Sequence, residues 1–442
     1  MPARRDLALL AAYAALLPWL ATLRPFWLDE VLQLVVSTQP RLADLMRWVT
    51  YNPGAAPLGY LAQRPFVLAL GLAPWVARMA PAIFSLLAGL TLAAFARDVK
   101  AGSSSVALAA FLVAPLELRY AVEARPYSQA LFFTLAALWC LWRLAQAPSW
   151  RVAAAYSILA AAALYSQPLS IGVQAGALAA VASSGRLRSI RFGCVALAAA
   201  CLLFVPWFLH SRDAWRFGVA ASQDRLSIGP RTFAILVREI SGGGYAASLP
   251  LIGAAALGLS RLDSLARRFL VWGLFSAIVC ALAADAIYNY FFAVRQVLFA
   301  LPLLLLPAAS IADGRRRFWQ AGLLAVFLAA SLVKDVRYLR APGEDWPGAA
   351  RALLAATDRG ACAAVPGPEP KEIYQLFEPT LSGRFCEVSH ATGPVVIVEN
   401  RYTLASSMEE NVRALESKRY RRAASSSASG IRLLLFLPQA GS

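Results

Sequence analysis

Between residues 7 and 334 the chain returns repeatedly to apolar runs of about 17 to 21 residues, the length a helix needs to cross roughly 30 Å of hydrocarbon. They lie near 7–23, 76–96, 104–119, 127–145, 151–167, 169–184, 192–209, 246–260, 269–286, 291–311 and 318–334. Short arginine-rich hinges separate them. In a bilayer each such helix satisfies its own backbone hydrogen bonds, whereas in water the same runs would need an apolar partner on every face. Composition agrees: 59% of the 442 residues are hydrophobic and 15% charged, with a mean hydropathy of +0.57. A soluble enzyme is thereby excluded. The expected fold class is an all-α polytopic membrane protein with about eleven transmembrane helices, and about thirteen at the upper bound.

The stretch 57–73 is the ambiguous one, because Arg64 occupies its middle. A charge at the bilayer centre costs about 2.5–3.5 kcal/mol on insertion scales. This stretch is therefore expected to be interfacial or re-entrant rather than spanning. With Arg4 and Arg5 placed inside, the hinges at 97–100, 143–151, 186–188, 261–268 and 315–317 all fall on the inner side, as the positive-inside bias asks. That bias accounts for most of the net charge of +17, so no nucleic-acid partner is called for. The first span lacks a small-residue cleavage site and is expected to remain as an anchor.

After about residue 334 the composition changes, and the chain divides into a membrane domain, 1–334, and a terminal lobe, 335–442, expected outside. Helices are expected at 345–357, 370–378 and 406–419, and strands at 361–365, 385–389, 394–399 and 430–437, with the tract from Ala423 to Gly430 as a loop. The alternation suggests a small α/β lobe. Cys140, Cys194, Cys201 and Cys280 lie in apolar spans and are expected as small buried hydrophobes. Cys362 and Cys386 lie in the lobe, where an oxidising exterior would let them pair as a disulfide or leave two buried thiols. Two histidines and no Cys/His spacing leave no basis for a zinc site.

Polar chemistry collects in three segments expected on the outer face. Trp27-Leu28-Asp29-Glu30 follows the first span and is succeeded by an amphipathic piece (Leu42, Leu45, Met46, Val49) suited to the interface. The turn from Glu117 to Tyr127 packs Glu117, Arg119, Glu123, Arg125 and Tyr127 together at a helix mouth. Tyr288 to Gln296 places Arg295 at the start of an apolar span. Singly, each acid could be a helix cap, Glu123 and Arg125 could neutralise one another, and Arg295 could snorkel to headgroups. Together they offer carboxylates and guanidinium groups beside lipid, which suits a substrate with an apolar tail and a phosphate head.

The strings 26–30, 51–60 and 119–127, Arg295 leading into 301–305, and 344–351 together resemble the GT-C membrane glycosyltransferases. The resemblance is to the group holding protein O-mannosyltransferases, lipid A aminoarabinose transferases and rhizobial galacturonosyltransferases, and it runs through roughly residues 7 to 355. It implies sugar transfer from a polyprenyl-phosphate donor to a lipid, glycan or protein acceptor, at the extracytoplasmic face of a bacterial inner membrane. It assigns the base to Asp29, with Glu30 beside it in an orienting role, and lines the cavity with Arg119, Glu123, Arg125, Tyr127 and Arg295. Ala55-Ala56-Pro57 and Tyr165-Ser166-Gln167-Pro168 depart from relatives that carry His-Pro or Pro-Pro at the first position and often His at the second, which bears on acceptor contacts. Some relatives use a divalent metal, but no ligand set stands out here and no cofactor is expected. The competing reading is a transporter or flippase of polyprenyl-linked glycans, which would need ionisable residues deep in the spans or paired broken helices.

Overall fold

The computed structural model describes residues 3–51, 55–219, 228–288, 294–313, 318–367 and 370–439. Residues 52–54 and 289–293 of the outer segments and the 315–317 hinge lie outside the described residues. Packing divides the chain into two compact units: Met1–Ala21 with Val36–Leu339, and Thr22–Val35 with Arg340–Ser442.

In the first unit each apolar window falls on a helix, except that 104–119 falls on the pair Ser104–Leu112 and Pro115–Ala121, bent by 65°. Pro115 opens the second member, where its missing N–H costs nothing but the preceding helix cannot continue through it. Four helices (Met79–Asp98, Tyr127–Gln146, Leu187–Asp213, Ser264–Ile287) are long and apolar enough to cross a membrane, five with the bent pair. Trp150–Leu164, Ser170–Ala182, Tyr245–Leu259 and Ala300–Ala312 are apolar but shorter. Length and composition thus support four or five spans among the described residues rather than eleven. The reason is geometric: the 15 residues of Trp150–Leu164 rise only about 22 Å.

The helices enclose one continuous core in which Phe95, Phe111, Trp142, Phe269 and Leu305 are fully buried. Their outer faces are equally apolar: Leu202, Ile158, Phe275 and Leu249 are each more than half exposed. Water would not tolerate such a surface, and lipid does. The chain is a membrane protein. The same outward placement corrects the expectation for the apolar-span cysteines: Cys194 is exposed and Cys140, Cys201 and Cys280 only half-buried.

Small residues set the closest helix approach. A Cβ on Gly176 would lie 2.2 Å from the Trp272 carbonyl oxygen, and one on Gly172 would lie 2.4 Å from Cys280 Cβ. The four-residue spacing of Gly172 and Gly176 lets helix Ser170–Ala182 press against Ser264–Tyr288, as small-residue seams do in membranes. Ser276 uses the approach to donate its hydroxyl to the Gly172 carbonyl. Arg64, the charge that made 57–73 ambiguous, lies on helix Leu58–Leu70 and donates to the carbonyls of Ser37, Gln39 and Pro40. At the other end of the bundle the fully buried Asp6 accepts from Arg97 at 2.6 Å, Ser104 at 3.0 Å and Ser105 at 2.6 Å.

The second unit is built on a four-stranded sheet: β1 Cys362–Ala364, β2 Val395–Asn400, β3 Tyr420–Ala428 and β4 Ile431–Pro438, in the order β1-β2-β4-β3. β1 and β2 are parallel, β2 and β4 antiparallel, and β3 and β4 form a hairpin through Ser429 and Gly430, whose φ of 79° favours glycine. Val395, Ile397, Leu434 and Phe436 form its core with Leu415 of helix Ala405–Ser417. Two expectations are corrected. The tract 423–430 belongs mainly to an edge strand, because its Ala and Ser side chains let it pair with the apolar β4. The run 385–389 makes only a single bridge, Phe385 to Ala363, because the Val388–His390 turn follows at once. Cys362 and Cys386 are joined in a disulfide.

Candidate functional site

Helix Leu28–Ser37 begins immediately after the first apolar helix, and its first turn carries Asp29 and Glu30. The two acids differ in surroundings. Glu30 is 1% exposed, and its Oε2 accepts from the Trp27 backbone N–H at 3.2 Å, reaching back to cap the helix start. Asp29 is half-buried and retains an accessible face.

Asp29 and Glu30 belong to the second unit, and the C-terminal lobe holds their segment in place. Trp346 is fully buried and donates its Nε1–H to the Phe26 carbonyl at 3.1 Å. The Phe26 ring stacks on Phe377 at 6.3 Å. Gly343 stands so close to Pro25 that a Cβ there would meet its ring at 2.6 Å. Between these contacts sits Glu344, buried, with Oε1 2.6 Å from Arg401 Nε. The 344–351 string therefore has a structural basis: Trp346 to Asp358 is a helix, Asp345 caps it by accepting from the Gly348 N–H, and its start grips the acid-bearing segment.

The remaining predicted residues gather in the first unit. Arg119 Nε donates to Glu123 Oε1 at 2.8 Å, and Glu123 is 1% exposed. The same Oε1 accepts from the Tyr338 hydroxyl at 2.7 Å. The Arg119 guanidinium lies over the rings of Tyr120 and Tyr338, at 5.5 and 5.7 Å. Tyr120 packs against Tyr127 with centroids 4.6 Å apart, and Arg125 lies over Tyr127 at 5.6 Å. Arg295, half-buried in the turn Val294–Val297, acts electrostatically on Tyr120. Arg119, Glu123, Arg125, Tyr127 and Arg295 are thus brought together around Tyr120. The 117–127 turn is local in sequence, but Arg295 and Tyr338 reach it only through the fold.

Glu117, from the same turn, is turned the other way. It is 1% exposed and accepts from the Tyr13 hydroxyl at 2.9 Å and from the Ser85 hydroxyl, which ties three helices together. Sequence reasoning missed Tyr338, Arg401 and Tyr402. Tyr338 lies at the end of an apolar helix and the other two in a polar stretch, and no spacing sets them apart from ordinary surface residues.

A nearly wholly apolar cavity of about 460 Å³ opens in the first unit between helices Leu187–Val219 and Ser264–Tyr288, lined by Leu164, Pro168, Phe204, Phe208, Ala284 and Ile287. Among the described residues no three His, Cys, Asp or Glu side chains are grouped as a metal site requires.

No protein-family model matches this chain, and no curated protein matches it in sequence. Solved structures do match its fold. ArnT from Cupriavidus metallidurans in the apo state superposes with a TM-score of 0.66 at 12% identity, covering 97% of each chain. The same protein bound to undecaprenyl phosphate gives 0.61 at 13% identity, again over 97% of each. The mycobacterial arabinofuranosyltransferase AftD gives 0.58 at 16% identity, covering all of this chain but 40% of its own length. At such identities the likeness is one of fold, and the fold is that of the GT-C membrane glycosyltransferases.

Proposed function

We propose that the chain moves a sugar from a polyprenyl-phosphate donor to an acceptor hydroxyl, on the extracytoplasmic side of a bacterial cytoplasmic membrane. The observation that carries this reading is the division of labour between the two acids that open helix Leu28–Ser37 in a GT-C fold. Glu30 is occupied with capping, which leaves Asp29 as the accessible carboxylate. Supporting it are the arginines around Tyr120 and the apolar cavity, whose lining suits an isoprenoid chain.

In this mechanism the acceptor oxygen attacks the anomeric carbon as the bond from that carbon to the phosphate oxygen breaks. The acceptor proton passes to Asp29, and the electron pair of the broken bond leaves with the polyprenyl phosphate. Arg295, with Arg119 and Arg125, stabilises charge growing on that phosphate, so no strong general acid is required. A single displacement inverts the sugar. The flippase reading gains nothing from buried Glu117, whose carboxylate serves as a tie between helices.

The test uses purified protein in nanodiscs supplied with radiolabelled polyprenyl-phosphate sugars and membrane lipid extract. Wild type should release and transfer sugar. Asp29→Asn should lose about 10²–10⁴-fold in rate with donor binding retained, and Glu30→Gln should be milder. Near-wild-type transfer by folded Asp29→Asn would remove the base, and with it this reading.

A further inference from the structure

The turn that follows β2 is strongly determined by its own side chains. Asn400 is buried, its Oδ1 accepts the Tyr402 N–H at 2.8 Å, and its own N–H donates to Thr403 Oγ1 at 3.0 Å. This fixes Arg401 and Tyr402 on the turn. Arg401 is 56% exposed, yet its guanidinium is oriented twice: Nε meets the buried Glu344 at 2.6 Å, and the NH2 group donates to the Tyr402 hydroxyl oxygen. The guanidinium also lies 4.7 Å from the centre of the Tyr402 ring.

A buried carboxylate is costly to maintain, and this one is only partly satisfied, since Glu344 Oε2 is buried without a hydrogen-bond partner. Its effect is to hold the arginine. The arginine in turn gives a proton to the phenol oxygen, so the phenol's own O–H must point elsewhere. Glu344 sits between Gly343, which abuts Pro25, and Trp346, which binds the Phe26 carbonyl, and is therefore at the anchorage of the segment that carries Asp29. Burial, then the nearby carboxylates of Glu344 and Asp29, push the Tyr402 phenol up against the opposing pull of Arg401. The phenol stays protonated, a donor beside the carboxylate read as the base.

We propose that Tyr402, oriented by the Glu344–Arg401 pair, is a positioning residue for Asp29, presenting its phenolic O–H to that carboxylate from the C-terminal lobe. The proposal deepens the functional reading and rests on Asp29 being the base. A loop of the lobe would then set the direction in which the base faces its acceptor.

Two measurements on the full chain in nanodiscs test it. The first compares kcat and the donor KM, with a polyprenyl-phosphate sugar, for Tyr402→Phe, Arg401→Gln and Arg401→Lys. Tyr402→Phe and Arg401→Gln should each lower kcat about tenfold with donor KM within about twofold, while Arg401→Lys, which still donates to the phenol, should recover most of the loss. Wild-type kcat in Tyr402→Phe would overturn the proposal. The second needs no turnover: coupling of glycine ethyl ester to Asp29 by a water-soluble carbodiimide, read by mass spectrometry against the exposed Glu409. Removing the phenol's hydrogen bond should change Asp29 labelling by about threefold or more relative to Glu409. Unchanged labelling in Tyr402→Phe would sink the positioning role whether or not sugar is transferred. A wild type that transfers nothing, but whose Asp29 labelling responds to Tyr402→Phe, would overturn the functional reading and leave the positioning role standing.

Discussion

The indole of Trp346 donates a hydrogen bond to the backbone carbonyl of Phe26 at 3.1 Å, joining positions 320 residues apart in the chain. Because Asp29 lies three residues beyond Phe26, the segment bearing the proposed base is held by the C-terminal lobe. Replacing Trp346 by Phe should cost about 1 kcal/mol for the lost hydrogen bond, and by Ala about 3–5 kcal/mol for the cavity. The segment 22–35 should then be cleaved faster in limited proteolysis. Protease resistance and melting temperature equal to wild type in Trp346→Ala would show that the contact does not anchor this segment.

Glu123 joins Arg119 to Tyr338, so its substitution should be felt by the arginine. Glu123→Gln keeps the shape but removes the charge, and breaking such a buried pair is strongly destabilising to its geometry. Donor binding should weaken about 3- to 10-fold, with a smaller effect for Tyr338→Phe, which loses one hydrogen bond. Donor affinity measured by equilibrium binding decides this, and unaltered affinity in both variants would detach the trio from the phosphate.

Gly176 leaves no room for a side chain against Trp272. Gly176→Ala should force helices Ser170–Ala182 and Ser264–Tyr288 apart at a cost of about 1–3 kcal/mol, typical of overpacking. Gly322, where a Cβ would meet nothing within 4 Å, should accept Ala without such a loss. Thermal unfolding in detergent compares them, and equal stability of the two variants would contradict the close helix seam.

The Cys362–Cys386 disulfide closes a loop with a sequence separation of 24. Closing a loop of that size contributes about 3 kcal/mol on the chain-entropy estimate. Non-reduced peptide mapping should recover the linked pair, and the double Ser variant should melt lower. Two alkylatable thiols in protein prepared without reductant would rule the bridge out.

The topology expected from the arginine hinges puts the lobe outside. A reporter that is active only in the cytoplasm, fused after residue 442, should stay dark, and one active only outside should be on. The reverse pattern would move the proposed site to the face that lacks acceptor glycans.

The amino-acid order by itself determined the elements whose cause is local. Helices at the apolar windows follow from hydropathy summed along a run, the lobe from the change of composition near residue 334, and the acid pair from its place after the first apolar helix. The cluster 119–127 was legible for the same reason, since one turn of chain holds most of it. Edge strand Tyr420–Ala428 was not, because Ala and Ser carry little intrinsic strand signal and pair only where β4 offers a template. Span count was overread because hydropathy does not report where a proline or a short rise ends a helix. Tertiary structure alone decided that Glu30 caps while Asp29 stays accessible, that Arg295 and Tyr338 join the 119–127 turn, and that Trp346, Glu344, Arg401 and Tyr402 surround the base. Those relationships link positions tens to hundreds of residues apart, and they depend on which surfaces meet when the chain closes, which no local sum along the sequence contains.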